Sequence, residues 1–212
     1  MAKTTQARTD AAGTPPDRRL EPVGRKAWRQ ADRRLDAITG TAQLRAAQKE
    51  IRRRFLVSFG PLPDPKARVP AQEGKAFSYQ DLTAQQVAVT SAKGYAITGW
   101  TLRRTDQAGP RPAVIVAAGH AEPASLHPPY LKLALYAARC GAWVFTFDPV
   151  GQGARREVFR PEDHPVYWDP CKQHQHIGAI ATIAGHSLPH FLAHDCVTAV
   201  SFAAQQPEVD AE

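Results

Sequence analysis

The 212-residue sequence contains no run of 18 apolar residues, so no segment is built to cross a bilayer as a helix. Met1 to Arg19 is polar throughout and holds no apolar h-region, so no secretory signal is visible. The expected compartment is therefore the cytoplasm, with secretion of a longer parent left open. Cysteine is scarce: Cys140, Cys171 and Cys196 are too few and too scattered for a disulfide framework or a zinc motif. They are expected to be reduced, mostly buried thiols. Glycine (14) and proline (18) occur without a period, which excludes a collagen-like or low-complexity chain, and no internal repeat is visible. What remains is a globular composition, 43% hydrophobic and 22% charged, long enough for one good core.

The formal net charge of +7 is confined to one end. Residues 1–60 carry 14 Lys/Arg against 6 Asp/Glu, whereas the other 152 carry 13 against 14. Arg25, Lys26, Arg29, Arg33 and Arg34 form one cluster, and Arg52, Arg53 and Arg54 another. A basic helix of this kind could meet nucleic acid phosphates or anionic lipid. No aromatic interleaving or nucleic-acid motif accompanies the charge, so a solvated helix face is the preferred reading and no specific nucleic acid is expected.

Residues 1–24, with Gly13, Pro15, Pro16 and Pro22 among polar side chains, are expected to be a disordered arm. Two accessory helices are expected within 25–66. Trp28, Ala31, Leu35 and Ile38 share the face of the first, which Gly40 ends. Thr41 can cap the second, whose face is Leu44, Ala47, Ile51 and Phe55, before Gly60-Pro61-Leu62-Pro63-Asp64-Pro65 stops it.

From residue 67 to 212 the signal is α/β. Val87, Val89 and Ser91 alternate with polar residues, Lys93-Gly94 marks a turn, and Tyr95 to Leu102 returns as a second strand. Ala113 to Ala118 is continuously apolar, the pattern of a parallel strand buried on both faces, and stops at Gly119-His120. A helix over Tyr130–Arg139 and a second buried strand over Ala142–Phe147 complete a βαβ unit. Residues 154–176 read as a long polar loop, followed by a short helix from Ile177 to Ala184. A last helix starts near Ser187 with Leu188, Leu192, Cys196, Ala199 and Ala203 as its buried face.

Taken together these pieces carry a resemblance. The order runs from Trp28 and Arg52-Arg53-Arg54-Phe55-Leu56, through Val114-Ile115-Val116-Ala117-Ala118-Gly119-His120 and Pro128-Pro129-Tyr130, to Phe147-Asp148-Pro149-Val150-Gly151-Gln152-Gly153. It ends with His174-Gln175-His176, Gly185-His186-Ser187-Leu188, Asp195 and Pro207-Glu208-Val209-Asp210. The chain resembles the N-terminal half of an α/β-hydrolase of the acetyl-xylan-esterase and prolyl-oligopeptidase-like, dienelactone-hydrolase-related group. The resemblance covers residues 26–212 and implies the first strands of an α/β-hydrolase sheet behind a helical preface. It also implies hydrolysis of a carboxylic ester, such as an acetyl group on carbohydrate, by a serine nucleophile. In that family the strand after PEVD delivers a G-x-S-x-G elbow, with acid and histidine further on, so none of the triad is matched within these 212 residues. The expectation is a fragment, inactive alone, completed by a C-terminal half or self-associating through an open sheet edge. A two-chain hydrolase and a non-enzymatic nucleic-acid or membrane module are the alternatives. No cofactor is implied.

Several residues compete for functional roles. Ser187, in Gly185-His186-Ser187-Leu188-Pro189, imitates an elbow, but Pro189 replaces the last glycine and the ordinary role of such a serine is a helix N-cap. Gly119 and His120 end the first buried strand, and by resemblance the loop His120-Ala121-Glu122 would supply one oxyanion donor; a plain βα turn explains the same glycine. Asp148 ends a parallel strand, a usual place for ligands, though turn capping is the better reading. His174 and His176 could suggest a metal if they alternated on a strand, but no Cys or carboxylate except Cys171 stands at a matching spacing and the segment reads as loop. A substrate-lining loop is preferred for both, and no metal is expected.

Overall fold

The computed structural model describes residues 16–157 and 169–210. The chain divides into two compact units, Met1–Phe55 and Leu56–Glu212. The division falls inside the second helix. In the first unit, helix α1 spans Pro16–Asp36 and helix α2, Thr41–Phe59, begins. Residues 16–24 are thus helical, not part of a disordered arm. Leu20 and Val23 extend the apolar stripe of Ala27, Ala31 and Leu35 backward, and Pro16 occupies the first turn, where a missing N–H costs little. Pro22 forfeits one ladder bond, while Glu21 and Arg25 pair one turn apart at 2.9 Å. Residues 1–15, the rest of the expected arm, lie outside the described residues.

The second unit is built on a six-stranded sheet. Strands β3 (Leu82–Thr90) and β4 (Ala96–Arg104) form the expected hairpin, closed by a Ser91–Gly94 turn. Two three-residue strands, β1 (Ala71–Glu73) and β2 (Phe77–Tyr79), pair with opposite halves of β3. Strand β5 (Ala113–Ala117), helix α3 (Pro128–Arg139) and strand β6 (Trp143–Phe147) form the βαβ unit, with β5 and β6 parallel. The sheet order is β1-β3-β4-β6-β5, with β4 antiparallel to β6.

Period-two alternation in β6 explains the three layers. Trp143, Phe145 and Phe147 point to one face, where they meet Phe202, Ala199 and Ala203 of helix α5 (Leu188–Ala204). Val144 points to the other, against Ala134 and Ala138 of α3. Phe202 sits edge-on to Phe145 at 5.2 Å and to Trp143 at 5.8 Å. A Phe145→Ala substitution would therefore empty the centre of the core, at a cost of about 3–5 kcal/mol.

Strand β5 departs from the fully buried pattern. Among the described residues it pairs along its length only with β6, and Ala113 and Ala117 are exposed. At its amino end the chain leaving α5 arrives on the other edge. Arg111 N–H donates to the Glu208 carbonyl at 3.0 Å and Asp210 N–H to the Arg111 carbonyl at 2.9 Å, forming a parallel bridge between Arg111 and Val209.

Two further expectations are corrected. Residues 170–176 are not loop: helix α4 runs over Pro170–Ile183, with Asp169 accepting from Cys171 N–H as N-cap and Pro170 in the first turn. The buried face of α5 is not Leu188, Leu192 and Cys196 but His190, His194, Asp195, Thr198, Ser201 and Phe202, together with Ala199 and Ala203. Four of its polar members bond outside the helix: His190 to the Phe59 carbonyl, His194 to the Pro61 carbonyl at 2.9 Å, Ser201 Oγ to the Pro65 carbonyl at 2.8 Å, and Asp195 to Arg155 at 2.5 Å. All three cysteines are exposed and free. No helix among the described residues is long and apolar enough to cross a membrane.

Candidate functional site

The loops leaving the carboxyl ends of β5 and β6 are tied into one block. Asp148, the first residue beyond β6, accepts from Ser125 N–H at 3.0 Å, Ser125 Oγ at 2.6 Å, Ala154 N–H at 3.1 Å and Thr98 Oγ at 3.2 Å. One carboxylate thus fixes both loops to β4. Gly153 sits at φ +55, and a Cβ there would stand 2.6 Å from the Asp148 carboxyl carbon. Only glycine serves this turn. Gln152 Oε1 accepts the Ala121 N–H at 2.8 Å, and Gly153 N–H reaches the Glu122 carbonyl at 3.2 Å.

A buried ion pair lies beneath. Arg155 donates to the Asp148 carbonyl at 3.0 Å and to Asp195 Oδ2 at 2.5 Å, with both side chains almost wholly shielded from solvent. Burial pushes the Asp195 carboxyl up, and the adjacent guanidinium opposes that shift. Tyr95 stacks under the guanidinium at 5.4 Å, and its phenol is pushed up, first by burial and then by Asp195. Beside the pair opens a cavity of about 440 Å³ lined by Tyr95, Val150, Arg155, Ile177, Ile180 and Phe191.

Helix α4 supplies the rim. His174 Nε2 lies 2.7 Å from the Val150 carbonyl, and His174 Nδ1 lies 2.7 Å from His120 Nε2. Burial pushes the His174 imidazole down against the opposing pull of the Val150 carbonyl, and the neighbouring His120 adds to the downward shift. Its neutral form therefore prevails at neutral pH.

No family model matches the sequence, and no curated protein matches it. Among solved structures, a provisionally assigned acetyl xylan esterase from Bacteroides fragilis superposes with a TM-score of 0.60 at 13% identity, covering 79% of this chain and 45% of that one. The chain has an α/β-hydrolase-like fold. Acetyl xylan esterases from a Paenibacillus species and a Thermoanaerobacterium species align less closely, at 19% and 18% identity and TM-scores of 0.45 and 0.44. The alignments cover 68% and 70% of this chain and 43% of each of those chains. The chain thus spans less than half the length of these three esterases.

Within this α/β-hydrolase-like fold, Gly119, His120, Ala121 and His174 are brought to one place, the carboxyl end of the parallel pair. Gly119 is required by close approach: a Cβ there would stand 2.4 Å from Tyr130 Oη. The Ala121 N–H already has Gln152 as acceptor, whereas among the described residues the N–H groups of His120 and Glu122 have none. His176, two residues beyond His174 on a helix rather than a strand, projects away from His174 toward the cavity. No group of three potential metal ligands occurs among the described residues. Ser187 is the N-cap of α5, accepting from His190 N–H, and among the described residues no imidazole nitrogen is bonded to its hydroxyl. Sequence reasoning missed Ser125, Gln152 and the Arg155–Asp195 pair as the groups that hold the loops. A single acidic residue within the apolar stretch of α5 was the available signal for the last.

Proposed function

We propose that this chain forms the N-terminal half of a serine carboxylic-ester hydrolase, with carbohydrate acetyl esters as one substrate class. The nucleophile, base and acid belong to sequence outside these 212 residues, and the chain alone is inactive. The observation that carries this reading is the cross-tied pair of loops at the carboxyl ends of β5 and β6, where open α/β sheets bind ligands. The superposition on the Bacteroides fragilis protein supports it, as does the arrival of residues 208–210 on the far edge of β5. The His120 and Glu122 N–H groups are the oxyanion donors this reading offers.

The test compares the 212-residue chain with the longer protein carrying it, on p-nitrophenyl acetate and with a fluorophosphonate label. The expected result is no turnover by the short chain, and turnover with labelling of a serine beyond residue 212 in the longer one. Turnover by the short chain that disappears in Ser187→Ala would transfer the nucleophile to Ser187 and overturn the proposal.

A second reading is favoured by α1, which exposes Leu20, Val23, Trp28 and Leu35 on one side and carries Arg25, Arg29 and Arg33 on the other. It is a non-enzymatic module bound to an anionic surface. Its mark would be binding to anionic vesicles or nucleic acid that weakens steeply with salt, with no ester hydrolysis in any form of the protein.

A further inference from the structure

The hydrogen bonds around His174 fix more than a ring position. A carbonyl oxygen can only accept, so His174 Nε2 carries the proton and donates it to Val150 at 2.7 Å. The neutral His174 ring then has a bare Nδ1, which can only accept, and its partner at 2.7 Å is His120 Nε2. His120 must therefore donate from Nε2, and in the neutral ring its own Nδ1 is then a lone pair. The order runs from Val150 carbonyl through His174 to His120, and its free end is an acceptor on an exposed side chain. Both rings are held by packing as well: their centroids are 4.6 Å apart, edge to face, and a Cβ on Gly151 would touch His174 and Gln173 at 3.1 Å.

We infer that His120 is a positioning residue that accepts a hydrogen bond from a free hydroxyl on the alcohol portion of the ester. The substrate class is then an ester of a polyol bearing an unesterified hydroxyl near the scissile bond. This rests on the ester-hydrolase reading above. An ester carbonyl is an acceptor and suits the N–H groups of the 120–122 loop, whereas the His120 Nδ1 lone pair needs a donor. A simple alkyl ester offers no donor. A partly acylated sugar or glycerol offers both kinds of group a few ångströms apart, matching an acceptor and donors that belong to one tripeptide.

Two measurements test this. In the 212-residue chain, nitrogen-15 NMR of the imidazoles should show His120 as the Nε2–H tautomer and His174 likewise, with His120 becoming a tautomer mixture in His174→Ala. A His120 that carries its proton on Nδ1 overturns the proposal. In the longer protein, kcat/KM is compared for a sugar monoacetate and its O-methylated counterpart. The wild type should favour the hydroxylated ester. His120→Gln, whose amide reaches the Nε2 position and can still bond His174, should lower that ratio about tenfold, mostly through KM. His120→Asn, whose amide oxygen can take the Nδ1 position, should recover part of it. A ratio unmoved by His120→Gln sinks the positioning role while leaving the hydrolase reading intact. Failure of the wild type to hydrolyse either ester overturns both.

Discussion

His190 and His194, one turn apart on α5, pack their rings 4.4 Å apart and clasp the last residue of α2 and the turn that follows it. His190 Nδ1 bonds the Phe59 carbonyl, and His194 Nε2 bonds the Pro61 carbonyl at 2.9 Å. Since carbonyls only accept, both rings donate there, and the second nitrogen of each is buried without a partner among the described residues. His186 stacks on His190, Lys93 lies above Phe191, and Asp195 is already engaged by Arg155. Burial pushes the His194 imidazole down, and His190 and Lys93 add to this against the opposing pull of the Pro61 carbonyl and, more weakly, of Asp195. His174 is pushed down in the same direction.

A fold that holds His174 and His194 neutral should lose stability as they are forced to charge. With the folded pKa values below the unfolded value of about 6.5, the contribution is fully present above that pH and lost as pH falls toward the depressed values. Chemical denaturation between pH 7.5 and 5 should show this decline, and His194→Gln should flatten it. A stability that rises on acidification would contradict the assignment.

The Arg155–Asp195 pair should behave as a unit. Arg155→Met strands a buried carboxylate, with a destabilisation of about 3–5 kcal/mol expected. Adding Asp195→Leu removes the stranded charge and should restore much of that loss. Urea unfolding of the two single variants and the double variant measures the coupling. Strict additivity would show that the two side chains do not stabilise each other.

Gly119 and Tyr130 offer a steric test at the loop itself. A methyl at residue 119 would stand 2.4 Å from Tyr130 Oη but 3.4 Å from the ring carbon that carries it. Gly119→Ala should therefore destabilise by about 1–3 kcal/mol, and Tyr130→Phe should relieve most of this. Equal melting temperatures for Gly119→Ala with and without Tyr130→Phe would place the cost elsewhere.

The β5–α3–β6 unit was legible because two apolar runs stand between clear stops, Gly119 at one end and Asp148-Pro149 at the other. The first half of helix α4, before the expected start at Ile177, was missed because Cys171-Lys172-Gln173-His174 shows no apolar period. Its true signal was Asp169-Pro170, a cap followed by a first-turn proline. The buried stripe of α5 was misread because hydropathy cannot reveal that His190, His194 and Ser201 bond carbonyls more than 130 residues away. Strands β1 and β2 are three residues each, too short for any period to register. The same limit applies to the site. His120 and His174 were each noticed, but their bond spans 54 positions, and only the fold brings them together.

The last expectation concerns the far edge of β5. Its pairing with β6 satisfies one side of the strand, and on the other, among the described residues, only Arg111 just before it is engaged, by Glu208 and Asp210. Val114, Ile115 and Val116 form an apolar, partly buried run with no charged residue to discourage a second strand. Edges of this kind recruit other chains, and a lysine is the usual deterrent. The 212-residue chain should therefore self-associate, with a weight-average mass that rises with concentration in sedimentation. Ala113→Lys, at an exposed position of the strand, should reduce that association without unfolding the sheet. Hydrogen exchange should show alternation along Val114–Val116, slow for amides directed at β6 and fast for those directed outward. Uniformly slow exchange across these three residues in a monodisperse monomer would mean that the edge is covered, and the argument from the open strand would fail.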